Sequence, residues 1–146
     1  MVHLLKRFVR TGVSARRRDR AACPFEEGLN MKKVEELDVF KLSHALALEV
    51  FEITKSFPEE EKFGLISQMR RAAHSIPMNL MEGAHRLGSK EYRQFVGIAR
   101  GSTGEIKYQL LLSKDLTYIS ENSYPILKQK YERVSQMLTK LAKPLE

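Results

Sequence analysis

The segment 67–83 constrains the fold most strongly, because it combines a helical pattern with a proline near its centre. Its sequence is S-Q-M-R-R-A-A-H-S-I-P-M-N-L-M-E-G. Apolar residues recur there every three or four positions, which predicts a helix with one face in a protein core. Pro77 removes a backbone hydrogen bond and crowds the preceding turn, at a cost of about 3 kcal/mol in an ordinary helix interior. We therefore expect a kinked helix whose packing against the core outweighs this cost.

A polar stripe runs along a second face of the same predicted helix. Its members are Arg71, Ser75, Asn79, Glu82 and Arg86. The stripe could form an interface network or a binding site. Alternatively, Ser75 and Asn79 could satisfy backbone groups that Pro77 leaves without a partner, while Glu82 pairs with a basic residue. We favour the second, structural interpretation.

Three other segments repeat apolar residues with the same period. Helices are predicted at 38–56, at 59–86, at 90–117 and at 121–142. No segment shows the alternation of polar and apolar residues that is typical of a strand. Four helices joined by short connections predict an all-α fold, an antiparallel up-down-up-down four-helix bundle.

Capping residues place the predicted boundaries. Asp38 is the expected N-cap of the first helix, and acidic residues at 59–61 suit the positive end of the second. Gly88 is the expected stop of the second helix, and Ser89 is the expected N-cap of the third.

Three glycines lie inside the third predicted helix. Gly97, Gly101 and Gly104 each cost about 1 kcal/mol relative to alanine in a helix interior. Their spacing of four and three places them on one face of the helix. The glycines therefore predict that another backbone approaches this face closely.

A line of cations runs beside the glycines. Arg93, Arg100, Lys107 and Lys114 are spaced seven residues apart, and such a line drifts by only about 20° per heptad on a straight helix. Together with Arg70, Arg71 and Arg86, these side chains could line a channel or contact phosphates. The alternative is a solvated helix face whose charges pair at a spacing of four, as Glu82 and Arg86 would.

The charge of the chain is unevenly distributed. Residues 1–30 hold seven of the 25 basic and three of the 18 acidic residues, which gives them +4 of the net charge of +7. This leader has no sustained periodicity, and we treat it as separate from the helical domain at 31–146. We favour translation from Met31, or a leader left over from expression; a basic arm, an organelle transit peptide and a disordered tail are the other accounts.

Sequence motifs for catalysis or metal binding are weak. The single cysteine excludes an intramolecular disulfide and a cysteine-based metal cluster. Glu82 and His85 have the E-x-x-H spacing of di-iron bundles, but a second copy is missing from the sequence. Arg70, Arg71 and His74 miss the arginine-to-histidine spacing of helical ribonucleases of the HEPN class. We therefore expect a protein that is not an enzyme, has no cofactor, metal or membrane partner, and is cytoplasmic.

Several motifs together resemble a known family. D-V-F-K-L-S-H-A-L, the segment 67–83, E-Y-R-Q-F-V-G-I-A-R-G-S-T-G-E and L-L-L-S-K-D-L occur in the order expected for the four helix bundle protein family. That family is also called the 23S rRNA intervening-sequence protein family and is related to the accessory variability proteins of diversity-generating retroelements. The resemblance covers about residues 34–141. The chain departs from the family pattern at His74, where a small residue is commoner, and at Met78 and Met81.

The resemblance implies a homopentameric ring of four-helix bundles with a central channel. In the retroelement relatives the ring is basic and binds nucleic acid and a reverse transcriptase, whereas members encoded in ribosomal RNA intervening sequences have no established activity. The expected function is thus a non-enzymatic homo-oligomer that binds RNA or DNA through its backbone. The alternative is a protein-interaction scaffold or accessory subunit without direct nucleic-acid binding.

Overall fold

A computed structural model describes residues 31–145 of the chain, so the leader at 1–30 lies outside the described residues. This part of the chain forms five α-helices and contains no strand. The helices are α1 (Met31–Glu36), α2 (Asp38–Ile53), α3 (Leu65–Ala84), α4 (Ser89–Asp115) and α5 (Ser123–Ala142). Short 3-10 turns lie at Thr54–Ser56, Glu59–Glu61 and Lys143–Leu145. The predicted all-α class is confirmed.

The four long helices surround one hydrophobic core. Helix α2 packs against α3 and α5, and α4 packs against the same two helices. Helices α3 and α4 are antiparallel, since Met69 meets Ser113 near one end of the pair and Gly83 meets Tyr92 near the other. The largest fully buried apolar side chains include Leu46, Met69, Ile76, Leu80, Ile106, Leu110 and Leu138.

Helix α1 was not predicted from the sequence. It is only six residues long, and it packs against α2 and α3. Its residue Val34 is fully buried, so the core extends almost to the first described residue. A helix of this length is too short to show a repeating pattern, which explains why periodicity missed it.

The predicted start of the first long helix needs a small correction. Leu37, in an extended conformation, is the N-cap of α2, and Asp38 is the first helical residue. Asp38 therefore acts through its charge at the positive end of the helix rather than as a side-chain cap. The helix ends at Ile53 and tightens into a 3-10 turn, where Thr54 Oγ1 donates a hydrogen bond to the Val50 carbonyl at 2.8 Å.

The predicted boundaries of the second and third helices were also wrong in detail. Glu59–Glu61 forms a separate 3-10 turn, and Glu61 Oε2 accepts a hydrogen bond from the Leu65 N–H at 3.0 Å, so the carboxylate caps α3 from outside it. Helix α3 ends at Ala84, two residues before its predicted end at Arg86 and four before Gly88. Gly88 has extended backbone angles and is itself the N-cap of α4, with Ser89 as the first helical residue.

Helix α3 continues through Pro77, which is buried. Its neighbours Ile76 and Leu80 are fully buried in the core. Burying two such side chains stabilises the fold by about 3–6 kcal/mol, which exceeds the cost of about 3 kcal/mol for an internal proline. Tertiary packing thus retains a helix that local propensity alone would break.

Candidate nucleic-acid and assembly surface

The three predicted glycines lie on the face of α4 that points away from the core. A Cβ atom added to Gly97, Gly101 or Gly104 would meet no heavy atom within 4 Å. Within the described chain no other backbone approaches these glycines, so the predicted close approach stays a prediction for contact with another copy. Two exposed apolar residues, Tyr108 and Leu111, continue the same line toward the end of α4.

The close approach of α3 and α4 occurs instead at Gly83, which the sequence interpretation did not single out. A Cβ atom at Gly83 would lie 2.7 Å from the Cβ atom of Phe95 and 3.0 Å from Cδ2 of Tyr92. The sequence did contain a signal for this close contact, because Gly83 follows Leu80 by three residues and therefore lies on the same core-facing side of the helix. A glycine on the apolar face of a helix, rather than on the polar face, marks the close contact here.

Two of the four cations spaced along α4 are held by acidic neighbours. Lys107 pairs with Glu132 of α5, and this ion pair holds the pKa of the Glu132 carboxyl below its usual range. Lys114 pairs with Asp115 at 3.1 Å and lies over the ring of Tyr124 on α5. Both lysines are half-buried at the contact between α4 and α5, so the predicted cationic line does not continue as an accessible stripe.

The other two cations of the line border a cavity. Arg93 and Arg100 line a cavity of about 280 Å³ together with Lys90, which lies in the first turn of α4. The remaining lining residues are Gln94, Val96, Gly97 and Ala142. The described lining residues include three cations and no carboxylate, and the positive end of α4 adds to the same potential. We call this surface pocket the basic cavity; Arg93, one of its three cations, also interacts with another group.

Arg70 of α3 is half-buried and contacts the end of α2. Its Nε donates a hydrogen bond to Thr54 Oγ1 at 2.9 Å, and its guanidinium lies 5.0 Å from the centre of the Phe51 ring. Thr54 is buried, so this contact fixes the end of α2 against α3. Such a geometry gives Arg70 a structural role and leaves it little freedom to bind phosphate.

Arg71 of α3 and Arg86, which follows the end of α3, are both paired with carboxylates. Arg71 reaches Glu105 of α4 at 3.3 Å. Arg86 pairs with Glu82 at 2.7 Å, as the spacing of four predicted, and stacks over Phe95 of α4. These contacts place the predicted polar stripe along the junction between α3 and α4.

Ser75 and Asn79 lie at the same junction. Ser75 and Ser102 of α4 share a hydrogen bond of 2.6 Å between their hydroxyl groups, and Asn79 Nδ2 donates to the Ser75 carbonyl at 2.7 Å. Pro77 has no N–H and therefore leaves the carbonyl of Ala73, four residues earlier, without its helical hydrogen bond. The carbonyl that Asn79 contacts belongs to Ser75 and is a different group. Ser75 therefore joins α3 to α4, and Asn79 braces the turn around the proline within α3. Neither side chain replaces the bond that the proline removes.

The described residues also bear on two other possibilities, a metal site and a helix that spans a membrane. Across residues 31–145, we find no group of three or more metal-ligating side chains. Glu82 is engaged by Arg86, and His85 Nδ1 lies 2.8 Å from the Met81 carbonyl, so the E-x-x-H residues make local contacts. No helix in the described range is both long enough and apolar enough to cross a membrane.

Comparison with known proteins agrees with the resemblance noted in the sequence. A crystal structure of a protein with unknown function, from the S23 ribosomal protein family of Bacteroides thetaiotaomicron, superposes with a TM-score of 0.67 at 23% sequence identity. The alignment covers 72% of this chain and 95% of the other, and it supports the fold. A search of curated proteins gave no match. The family model described as 23S rRNA-intervening sequence protein matches residues 35–140. The chain therefore belongs to the 23S rRNA-intervening sequence protein family.

Proposed function

We propose that this protein is a non-enzymatic homo-oligomer, a pentameric ring of four-helix bundles, that binds the backbone of RNA or DNA through its basic surfaces. The observation that carries the proposal is the outward face of α4, where open glycines adjoin a cavity lined by Lys90, Arg93 and Arg100. The glycines supply a surface for a second copy, and the cations supply one for phosphates. The pentameric number follows from the family resemblance.

Self-association explains why α4 keeps its glycines. Three glycines in the interior of a 27-residue helix cost about 3 kcal/mol in total relative to alanine, and in the single chain no contact offsets this cost. A helix from another copy could approach the bare backbone closely at Gly101 and Gly104, beyond the cavity that Gly97 lines. Tyr108, which is 64% exposed, would then be covered by the same contact.

Assembly would also strengthen binding to nucleic acid. Residues 31–146 carry a net charge of only +3, so one subunit should bind phosphates weakly. A closed ring repeats the basic cavity in every subunit and multiplies the field that attracts a polyanion. Binding of this kind is independent of base sequence and weakens steeply with salt.

A scaffold that binds another protein is the second candidate. Leu48, Met78 and Ile98 are each at least half exposed, and apolar side chains of this size are suited to a protein partner. The pairing of Lys107 and Lys114 within the chain also reduces the charge available for phosphates. An accessory subunit would use these apolar positions and would show no direct affinity for RNA or DNA.

Gel shifts with labelled single-stranded and duplex RNA and DNA test nucleic-acid binding. The wild-type protein should shift them at about 50 mM salt and lose affinity as salt rises. Replacing Arg93 and Arg100 by Glu should abolish the shift, whereas the same change at the exposed residues Lys128 and Arg133 of α5 should weaken it less. No shift at low salt would refute binding, and a shift that is equal in both variants would refute this surface. Shortened strands on the gels would contradict a non-enzymatic role.

Light scattering tests assembly independently of nucleic acid. The full chain should have a solution mass of five subunits at micromolar concentration. Replacing Gly101 by Leu should lower that mass while leaving the helical circular dichroism unchanged, because a Cβ atom at Gly101 would meet nothing within 4 Å in the described chain. The matched control is Ala45→Leu, at an exposed small residue inside α2. A wild-type monomer would refute the assembly.

A further inference from the structure

An exposed apolar surface covers the side of the bundle where α2 and α3 meet. It consists of Leu48 and Phe51 on α2 and of His74 and Met78 on α3, and we call it the α2–α3 patch. We propose that this patch binds the glycine face of α4, centred on Gly101 and Gly104, of a second copy of the chain, so that the subunits join head to tail. The inference rests on the proposed self-association and names the surface that completes it.

The α2–α3 patch is continuous across the two helices. The centres of the Phe51 and His74 rings are 6.5 Å apart, so side chains of α2 and α3 approach each other at its middle. Leu48, Phe51 and Met78 are 60%, 40% and 51% exposed. Exposed apolar side chains that are grouped in this way indicate an interaction surface, whereas single ones are ordinary.

A closed ring requires two different surfaces on every subunit, one for the neighbour ahead and one for the neighbour behind. The glycine face of α4 supplies the first. The exposed apolar side chains that lie outside α4 are concentrated at the α2–α3 patch. In the described chain, α5 exposes one large apolar side chain, Ile126, while Phe63 and Leu87 lie singly in the connections at opposite ends of α3.

The two surfaces match in shape. Gly101 and Gly104 have no side chains, and a Cβ atom at either position would meet nothing within 4 Å, so the surface of α4 is recessed there. The protruding side chains of the α2–α3 patch are suited to such a recess, as ridges of one helix pack into grooves of another. The rows from Gly101 to Tyr108 and from His44 to Phe51 each advance by seven residues, or about 10 Å.

Charge also favours contact between these two unlike surfaces. Glu105 borders the glycine face on the side of α3, and Arg100 borders it on the side of the basic cavity. Arg70 borders the α2–α3 patch, where its guanidinium lies 5.0 Å from the centre of the Phe51 ring. The edge that holds the Glu105 carboxylate therefore complements the patch, while the apolar centres of both surfaces can lose water at little cost.

Mixing two variants of the full-length protein tests the contact. Gly101→Leu blocks the glycine face, and the double variant Leu48→Glu with Met78→Glu places two charges on the α2–α3 patch. Both patch residues are at least half exposed, so circular dichroism should show an intact fold. Each variant alone should have the mass of one subunit in light scattering.

An equimolar mixture of the two variants should form a complex of two subunits. The intact patch of the Gly101→Leu variant can bind the intact glycine face of the other, and both remaining surfaces are blocked. A single contact lacks the gain of ring closure, so the mixture is measured at a concentration about tenfold higher than the wild type.

Two control variants should keep the wild-type mass. Ile126→Glu adds the same charge on α5, at a residue that is 55% exposed and lies outside both surfaces. Ala45→Leu enlarges a side chain of α2 about 120° around the helix from Phe51, on the side away from α3.

The outcomes separate this inference from the proposed assembly. A wild-type monomer would refute self-association itself, and this contact with it. A wild-type oligomer whose mass the double patch variant retains would refute the α2–α3 patch alone and would leave the patch to a different partner. If each variant is a monomer and the mixture remains one as well, head-to-tail pairing of these two surfaces is overturned.

Discussion

Replacing Gly83 by alanine should destabilise the protein even though alanine is the better helix former. The new Cβ atom would lie 2.7 Å from the Cβ atom of Phe95, and real Cβ atoms essentially never approach so closely. The Phe95 Cβ is attached directly to the backbone of α4, so a side-chain rotation cannot relieve the clash. Helices α3 and α4 must therefore separate along their antiparallel contact.

Two opposing terms set the size of the effect. Overpacking a core contact costs about 1–3 kcal/mol, and we take the upper half of that range because backbone has to move. The gain in helix propensity from glycine to alanine is about 1 kcal/mol. The free energy of unfolding should thus fall by about 1–2 kcal/mol, which lowers the melting temperature by several degrees for a domain of this size.

Urea unfolding followed by circular dichroism at 222 nm measures this difference. The matched control is Gly104→Ala, also inside a helix but with open space where its Cβ atom would lie. In a variant or condition that keeps the chain monomeric, Gly104→Ala should raise the free energy of unfolding by up to about 1 kcal/mol. The reasoning is refuted if Gly83→Ala is as stable as the wild type, or if both substitutions act in the same direction.

Three further predictions concern other parts of the fold. Thr117 has a positive φ of 65°, so Thr117→Gly should stabilise the protein by about 0.5–1 kcal/mol in thermal unfolding, and an unchanged or lower melting temperature would contradict the strain. Burial raises the pKa of Tyr131 above its usual value, so the contribution of Tyr131 to the free energy of unfolding should be constant up to about pH 9. Above the pKa of about 10 that a tyrosine has in an unfolded chain, this contribution should decline by up to about 1.4 kcal/mol per pH unit, because Tyr131 ionises only in the unfolded chain. Denaturation at a series of pH values should show that Tyr131→Phe removes this part of the slope. Lys107→Gln should raise the pKa of Glu132 toward the ordinary glutamate value, measured by nuclear magnetic resonance, since the ion pair with Lys107 is the main cause of its depression; an unchanged pKa would exclude that pair in solution.

The long helices were predictable because their signal is local. Apolar residues three and four apart specify which face of a helix enters a core, and this information lies within each segment. The exact ends were less predictable, because Leu37 and Gly88 rather than Asp38 and Ser89 occupy the capping positions. The cap depends on the backbone angles of the connection, which the preferences of single residues do not determine.

The candidate site was only partly predictable. The seven-residue spacing correctly aligned Arg93, Arg100, Lys107 and Lys114 on α4, but it contained no information about α5. Glu132 lies 25 residues after Lys107 in sequence, and only the packing of α5 on α4 brings the two together. The same packing places Ala142 beside Arg93 and Arg100 and so creates the basic cavity.

The sequence by itself determined the all-α class, the positions of the long helices and the membership of the family. Only the tertiary structure decided which glycine lies in a tight contact and which cations are paired. Gly83 is packed against α4, while Gly97, Gly101 and Gly104 are open. The physical reason is that periodicity records the direction of a side chain relative to its own helix. What that side chain meets depends on the register and rotation of the neighbouring helix, which the whole core sets.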